Sequence, residues 1–382
     1  MIKMVQKQFY HGTTGRKKFK IIAKESTQGI CLNVYHGFSK IKSQFLYAES
    51  LNIPLFIDNG SFERFMFWRK RNDSDQPKSK RLSTEEYFSK DNAFEFFARK
   101  MEDFKMIFQT SKNPRRIIVT IPELIGKSEI THALQLKYIP QFRKLQLKYG
   151  FTPIIALQFN PLGNDFENEM KECARFIAKN IPISWNWRVG IPFGNDFKII
   201  QMGRGGGKQY SKVIHLFKTT LKGRQAHLFA CGTVNKIQLH GAYEFVKSCD
   251  ASTLGYLSYN GHYISHITAK VVDPRALRHW IEEKKKVYKN GKIEIKPAHF
   301  HCSLKNSEKK RQILADEGWN WKEWLRIKQV TNKYKNDPLM PNQSTNEFFR
   351  FKLLLTNFKA GLLHYFARSP QIKKTKSKTK TK

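Results

Sequence analysis

The chain has 382 residues, enough for one large barrel with an appended segment or for two ordinary domains, and either buries a substantial core. Hydrophobic residues at 40% and aromatics at 13% exclude a wholly disordered chain. Lys and Arg number 69 against 31 Asp and Glu, and a net charge of +38 calls for an anionic partner, with nucleic acid first and an acidic membrane surface second. The basic residues are spread along the chain and do not gather on one amphipathic helix, which disfavours the membrane. An AT-rich coding sequence is an alternative source of the Lys, Asn, Ile and Phe excess. Cys31, Cys173, Cys231, Cys249 and Cys302 form an odd set with no CxxC pair, which fits a reducing compartment better than a disulfide framework. No apolar run reaches bilayer length and MIKMVQKQFYHG lacks a signal-peptide core, so the expected location is cytoplasmic, or the host cytoplasm for a viral protein.

Along the chain, short apolar runs that end in small or polar residues recur between amphipathic stretches, the pattern of parallel strands alternating with helices. Strands are expected at IPLFIDNG (53–60), RRIIVTIPE (115–123), TPIIALQFN (152–160), WNWRVGIPFG (185–194), QAHLFACGT (225–233) and a segment ending FVKSCDAS (245–252). AFEFFARKMEDFKMIFQTS (93–111), HALQLKYIPQFRKLQLKYG (132–150) and FENEMKECARFIAKN (166–180) carry apolar residues at helical spacing. The basic, aromatic stretch RFMFWRKRNDSDQPKSKRLS (64–83) reads as a long exposed loop inserted in the first unit. Less clear units near both termini complete the expected fold, an α/β (β/α)8 TIM-type barrel over 1–270, with a doubly wound sheet as the alternative. Beyond it lie a basic, Trp-rich C-terminal appendage (271–368) and a Lys-rich tail (369–382) expected to be disordered.

Two carboxylates stand at strand ends. Asp58 in LFIDNGSF would sit at a barrel mouth, where such folds do chemistry, or would cap the next helix. Asp250 in CDASTLGYL is followed by small residues that leave room for a substrate, and it has the same capping alternative. GRGGGKQ (203–209) lacks the spacing of a phosphate loop and reads as a flexible basic loop.

The order of these motifs resembles that of the tRNA-guanine transglycosylase-like superfamily, the queuine and archaeosine enzymes and above all their DNA-acting branch, the DpdA 7-deazaguanine transglycosylases. LFIDNGSF resembles DSG[AG]F, IPELIG (121–126) a PDxIG-like motif, IIALQF a VxQG, VGIPFG an [AI]GG segment, HLFACGT an hLxGxG, and CDASTLGYL the stretch around the nucleophilic Asp of the archaeal enzymes. The collinear set spans roughly residues 50 to 265.

The resemblance implies a pentosyltransferase that exchanges guanine for a 7-deazaguanine such as preQ0. Asp250 would attack C1′ and Asp58 would take the N9 proton of the incoming base. It implies Glu123 and Gln158 as base-reading groups, with Gly190, Ile191, Gly60 and Ser61 lining the site. The chain departs from the pattern with Glu at 123 where Asp is usual, Phe159 where Gly follows Gln, and IPFG in place of paired glycines. The family's structural zinc motif is also broken: His299, His301, Cys302 and His364 have the wrong spacing, so no cofactor is expected and zinc is taken as lost. The expected partner is DNA, with tRNA as the alternative and an inactive nucleic-acid-binding relative as a reading from another class. Aromatics among basic residues, in RFMFWRKR and around Trp319, Trp321 and Trp324, would stack on bases or pack in a core.

Overall fold

The computed structural model describes residues 7–12, 16–25, 28–69, 83–158, 166–192, 206–231 and 243–259, with positions 237, 263–264, 271–272, 325–326, 329, 337–338, 351–357 and 359–360. Eight short parallel strands close into a barrel in sequence order: β1 Gln8–Gly12, β2 Ile30–Asn33, β3 Leu55–Asp58, β4 Ile117–Thr120, β5 Thr152–Ala156, β6 Arg188–Pro192, β7 Gln225–Phe229 and β8 Val246–Ala251. Pairing of β1 with β8 completes the circle, with Gln8 opposite Ser248 and Tyr10 opposite Asp250. The fold is the (β/α)8 barrel expected from the strand-helix rhythm, but the two units left unplaced, β1 and β2, are both N-terminal and not divided between the two termini.

Alternation along each strand sorts the side chains. Ile30, Leu32, Leu55, Ile57, Ile117, Val119, Ile155, Val189 and Ile191 face the helical layer and belong to one continuous core. Tyr10, Phe56, Ile118 and Ile154 face the barrel axis and form a separate inner cluster with Cys31 and Phe229. At Gly190 the inner wall has no side chain because Phe229 fills that space; a Cβ there would stand 2.1 Å from its ring.

The helices are α1 Arg16–Glu25, α2 Phe38–Ser50, α3 Ser61–Arg69, α4 Thr84–Phe88, α5 Lys90–Thr110, α6 Ser128–Tyr149, α7 Phe166–Asn180, α8 Gly206–Lys218 and α9 Thr253–Tyr259. The stretch 64–83 therefore differs from the loop expected of it: its first part continues α3, and 70–82 lies outside the described residues. Packing overrides the basic composition here, since Phe65 is buried, Trp68 stacks on Tyr87 at 5.0 Å, and the Arg64 guanidinium covers the Tyr87 ring at 5.0 Å. Ser83 and Glu86 then start α4 with reciprocal capping bonds. Gly206–Gln209 of GRGGGKQ likewise form the first turn of α8 and not a loop, while 203–205 lie outside the described residues.

Past the barrel, β9 Tyr263–Ile264 and β10 Val271–Val272 form a small antiparallel pair. Phe351, Leu354, Leu355 and Ala360 join the main core, and Asn357 Oδ1 accepts the Ile264 N–H at 2.7 Å. No helix among the described residues is long and apolar enough to cross a membrane.

One buried polar contact joins two outer helices. Gly37 precedes α2 and has no side chain to cap it, so Asp103 of α5 accepts the Phe38 N–H at 2.7 Å with Oδ1. The other oxygen of Asp103 holds Lys100 at 3.0 Å. Asp103→Ala leaves an N–H and an ammonium without their partner, and should lower unfolding free energy by about 1–3 kcal/mol in urea titration.

Candidate active site

Asp58 closes β3 at the C-terminal mouth, facing inwards two residues after Phe56 and in register with Asn33. Each of its oxygens accepts one hydrogen bond, Oδ2 from Asn33 Nδ2 at 3.0 Å and Oδ1 from the Gly60 N–H at 3.1 Å. Asn33 is itself fixed, its Oδ1 accepting the Tyr35 N–H at 2.7 Å. The turn requires glycine: Gly60 has φ +86, and a Cβ would lie 2.9 Å from Tyr35 Cα. Burial pushes Asp58 up from 3.8 to about 7; the Gly60 and Asn33 donors oppose the rise, and the charges of Asp250 and Glu63 add to it.

Glu123 lies in the connection after β4 and Gln158 in the connection after β5, 6% and 4% exposed. Gln158 Nε2 donates to Glu123 Oε2 at 2.5 Å. Burial pushes Glu123 from 4.5 up to about 8, against the pull of that hydrogen bond and with a contribution from Asp58. Glu123 thus carries a proton at neutral pH and offers a donor as well as an acceptor.

The segment bearing Glu123 is tied to the turn after β3. Asn59 Nδ2 donates to Ile121 O at 2.7 Å, Ser61 Oγ donates to Glu123 O at 2.7 Å, and Ser61 N–H donates to Asn59 Oδ1 at 2.8 Å. From the helical side, Thr131 Oγ1 accepts the Leu124 N–H and donates to Leu124 O. Gly60 and Ser61, expected to line the substrate, hold instead the turn and the tether that fix Asp58 and Glu123.

Asp250 faces inwards on β8, 17% exposed. Its Oδ1 receives the Ala230 N–H at 3.3 Å and lies 3.0 Å from His227 Nε2. Ala230 has φ +52, a left-handed conformation that a residue with a Cβ adopts at a cost of about 1 kcal/mol. Oδ2 has no hydrogen-bond partner among the described residues.

His227 escaped the sequence reading although the signal was present: in QAHLF, polar Gln225 and His227 alternate with apolar Ala226 and Leu228 on a strand, which puts an imidazole inside the barrel. Arg188, Ser248, Asn33 and Thr120 were missed in the same way, each at an inward position. Thr120 is 1% exposed, and its Oγ1 is buried without a hydrogen-bond partner among the described residues.

Gly190 and Ile191 sit otherwise than expected. Gly190 is inside the ladder between Ala156 and His227, its carbonyl taken by the Leu157 N–H at 2.8 Å, and the space beside it belongs to Phe229. Ile191 points outwards into the core beneath the helices. The structure therefore gathers Asp58, Asp250, Glu123 and Gln158 at the mouth and leaves the Ile191 side chain away from it. Among the described residues no group of three or more His, Cys, Asp or Glu could hold a metal ion, and His299, His301, Cys302 and His364 lie outside those residues.

No protein-family model matches the chain, and no curated protein matches it. A solved structure of an HpcH/HpaI aldolase/citrate lyase family protein from Burkholderia cenocepacia J2315 is similar over 74% of this chain and 96% of its own, at 10% identity and a TM-score of 0.38. A likeness at that level carries no argument about activity, because one barrel fold hosts many chemistries.

The proton on Glu123 has a measurable consequence. Its folded value, about 8, lies above the ordinary 4.5, so between those limits the folded chain keeps a proton that the unfolded chain loses. Stability from this group is intact below about 4.5 and is lost as pH rises to about 8. Glu123→Gln keeps an acceptor for Gln158 and cannot ionise. Its melting temperature should match the wild type near pH 4 and exceed it at pH 8, by differential scanning fluorimetry.

Proposed function

We propose that the chain is a base-exchanging glycosyltransferase of the guanine transglycosylase type, which replaces guanine in DNA with a 7-deazaguanine such as preQ0. The observation that carries the reading is the unlike pair of carboxylates at one barrel mouth. Asp250 has one oxygen engaged by N–H groups and the other without a partner among the described residues, the disposition of a nucleophile, while Asp58 exchanges a proton near neutrality.

In the proposed reaction Asp250 Oδ2 attacks C1′ of the target nucleotide, and the C1′–N9 bond breaks. Protonated Asp58 supplies the proton that lets guanine leave neutral, and a glycosyl ester on Asp250 remains. The incoming 7-deazaguanine attacks C1′ through N9, Asp58 takes up the N9 proton, and Asp250 is released unchanged. Two inversions at C1′ restore the starting configuration. Glu123 and Gln158 would read the Watson–Crick edge of the base, with protonated Glu123 able to meet the O6 acceptor as well as the N–H donors.

The net charge of +38 supports a polyanionic substrate, and the target nucleotide must leave a helix or lie in a single strand to reach the mouth. DNA is favoured over tRNA on the motif resemblance.

Incubation of the full chain with labelled preQ0 and either duplex DNA, single-stranded DNA or tRNA tests the reading. Label should enter DNA, and Asp250→Ala should abolish incorporation and the denaturation-resistant protein–nucleic acid adduct. Label confined to tRNA would overturn the choice of substrate, and full incorporation by Asp250→Ala would overturn the nucleophile. In single-turnover experiments, adduct formation should fall as pH rises through about 7, where Asp58 loses its proton, and Asp58→Asn should remove that inflection.

A further inference from the structure

Beneath Asp250 a line of hydrogen bonds runs down the barrel interior. His227 Nε2 lies 3.0 Å from Asp250 Oδ1, His227 Nδ1 lies 2.7 Å from Ser248 Oγ, and Arg188 Nη1 donates to the same Oγ at 2.7 Å. The imidazole is fully buried and set among Phe56, Phe229 and Tyr10, with ring centroids 4.9, 5.0 and 6.3 Å away. Register explains the convergence: His227 pairs with Ser248 across β7 and β8, and Tyr10 faces Asp250 across the seam.

The donor chemistry gives this line one direction. A guanidinium only donates, so Ser248 Oγ accepts from Arg188 and keeps its own hydrogen to give. Placing that hydrogen on His227 Nδ1 leaves Nε2–H to point at the Asp250 carboxylate. In the opposite tautomer Nδ1–H could use the second lone pair of Ser248 Oγ, but the Nε2 lone pair would then be set against a carboxylate oxygen, and it is this repulsion that selects Nε2–H. Burial lowers the imidazole's proton affinity against the pull of Asp250, in keeping with a neutral ring.

We propose that His227, with its tautomer fixed by Ser248 and Arg188, is the positioning residue that turns Asp250 so that Oδ2 faces the reacting carbon. The proposal rests on the glycosyl-transfer reading for its reaction and on the hydrogen-bond geometry for its structure. No proton travels along the line; it fixes an orientation, as a third group does for the base in other catalytic sets. The Ala230 N–H, brought to the same Oδ1 by a left-handed residue, supplies a second restraint.

Two readouts separate the proposal from that reading. Without substrate, the 15N shifts of His227 in the full chain should show a protonated Nε2 and a bare Nδ1, and Ser248→Ala should weaken that preference; a proton on Nδ1 in the wild type overturns the proposal. With a guanine-containing oligonucleotide and labelled preQ0, His227→Phe should lower kcat by roughly a hundredfold with KM changed by less than about threefold. His227→Gln, whose amide places an N–H where Nε2 stood, should recover most of that loss. Equal losses in the Phe and Gln variants, a loss confined to KM, or no loss in the Phe variant each overturn it. Should His227→Phe fail to fold, the 15N result and the Gln variant decide. A wild-type chain inert toward every nucleic acid sinks the glycosyl-transfer reading and leaves the tautomer result standing.

Discussion

Closure of the barrel between β1 and β8 is the constraint on which the site depends. The two carboxylates stand far apart in the sequence, at the ends of the third and eighth strands, and a sheet that stayed open would hold them at distant places. The backbone pairing of Gln8 with Ser248 and of Tyr10 with Asp250 brings the last strand round to the first. The rim then carries Asp250, Asn33 and Asp58 within electrostatic reach, as the influence of Asp250 on Asp58 records.

With closure given, the different characters of the two aspartates follow from local donors. Asp58 has one hydrogen bond to each oxygen and is partly buried at the rim, where desolvation outweighs those donors and the carboxyl holds its proton to near neutrality. Asp250 has both donors on a single oxygen, and its other oxygen has no hydrogen-bond partner among the described residues. Residue type does not divide the labour between them; each has two N–H partners, and burial together with the placement of those partners sets them apart.

The fold was largely legible in the sequence because six apolar runs with polar ends recur at barrel spacing, and two-residue alternation is a strong signal when one face of a strand is buried. The runs QFYHG and ICLN fell below that threshold: at five and four residues they are too short to show a period on their own. RFMFWRKR misled for the opposite reason, since its charge suggested a loop while Phe65 and Trp68 anchor a helix against Tyr87. At the site, Asp58 and Asp250 were legible as carboxylates at strand ends, while Glu123 and Gln158 came only through the motif resemblance. His227, Ser248 and Arg188 were legible only as inward positions of their strands, because each takes its meaning from a neighbour on another strand. The resemblance made Gly190 part of the site lining, whereas its missing side chain makes space for Phe229, a partner that is nowhere near it in the sequence.

The barrel interior is also divided lengthwise. On the side of β3, β4 and β5 it is lined by Phe56, Ile118, Ile154 and Ala156, while on the side of β6, β7, β8 and β1 the polar Arg188, His227 and Ser248 stand among the rings of Phe229 and Tyr10. Arg188 and Asp250 are thereby the two ends of an internal dipole whose positive pole lies towards the floor of the barrel and whose negative pole lies at its lip. Such a dipole makes the floor an electrical counterpart of the lip: in the proposed reaction, when Asp250 loses its charge to a covalent bond, Asp58 has just given up its proton, and the negative pole moves across the lip to Asp58. The interior of this fold is therefore not a neutral filler beneath a reactive rim, and the field at the rim is set in part by the end of the molecule that substrate never touches.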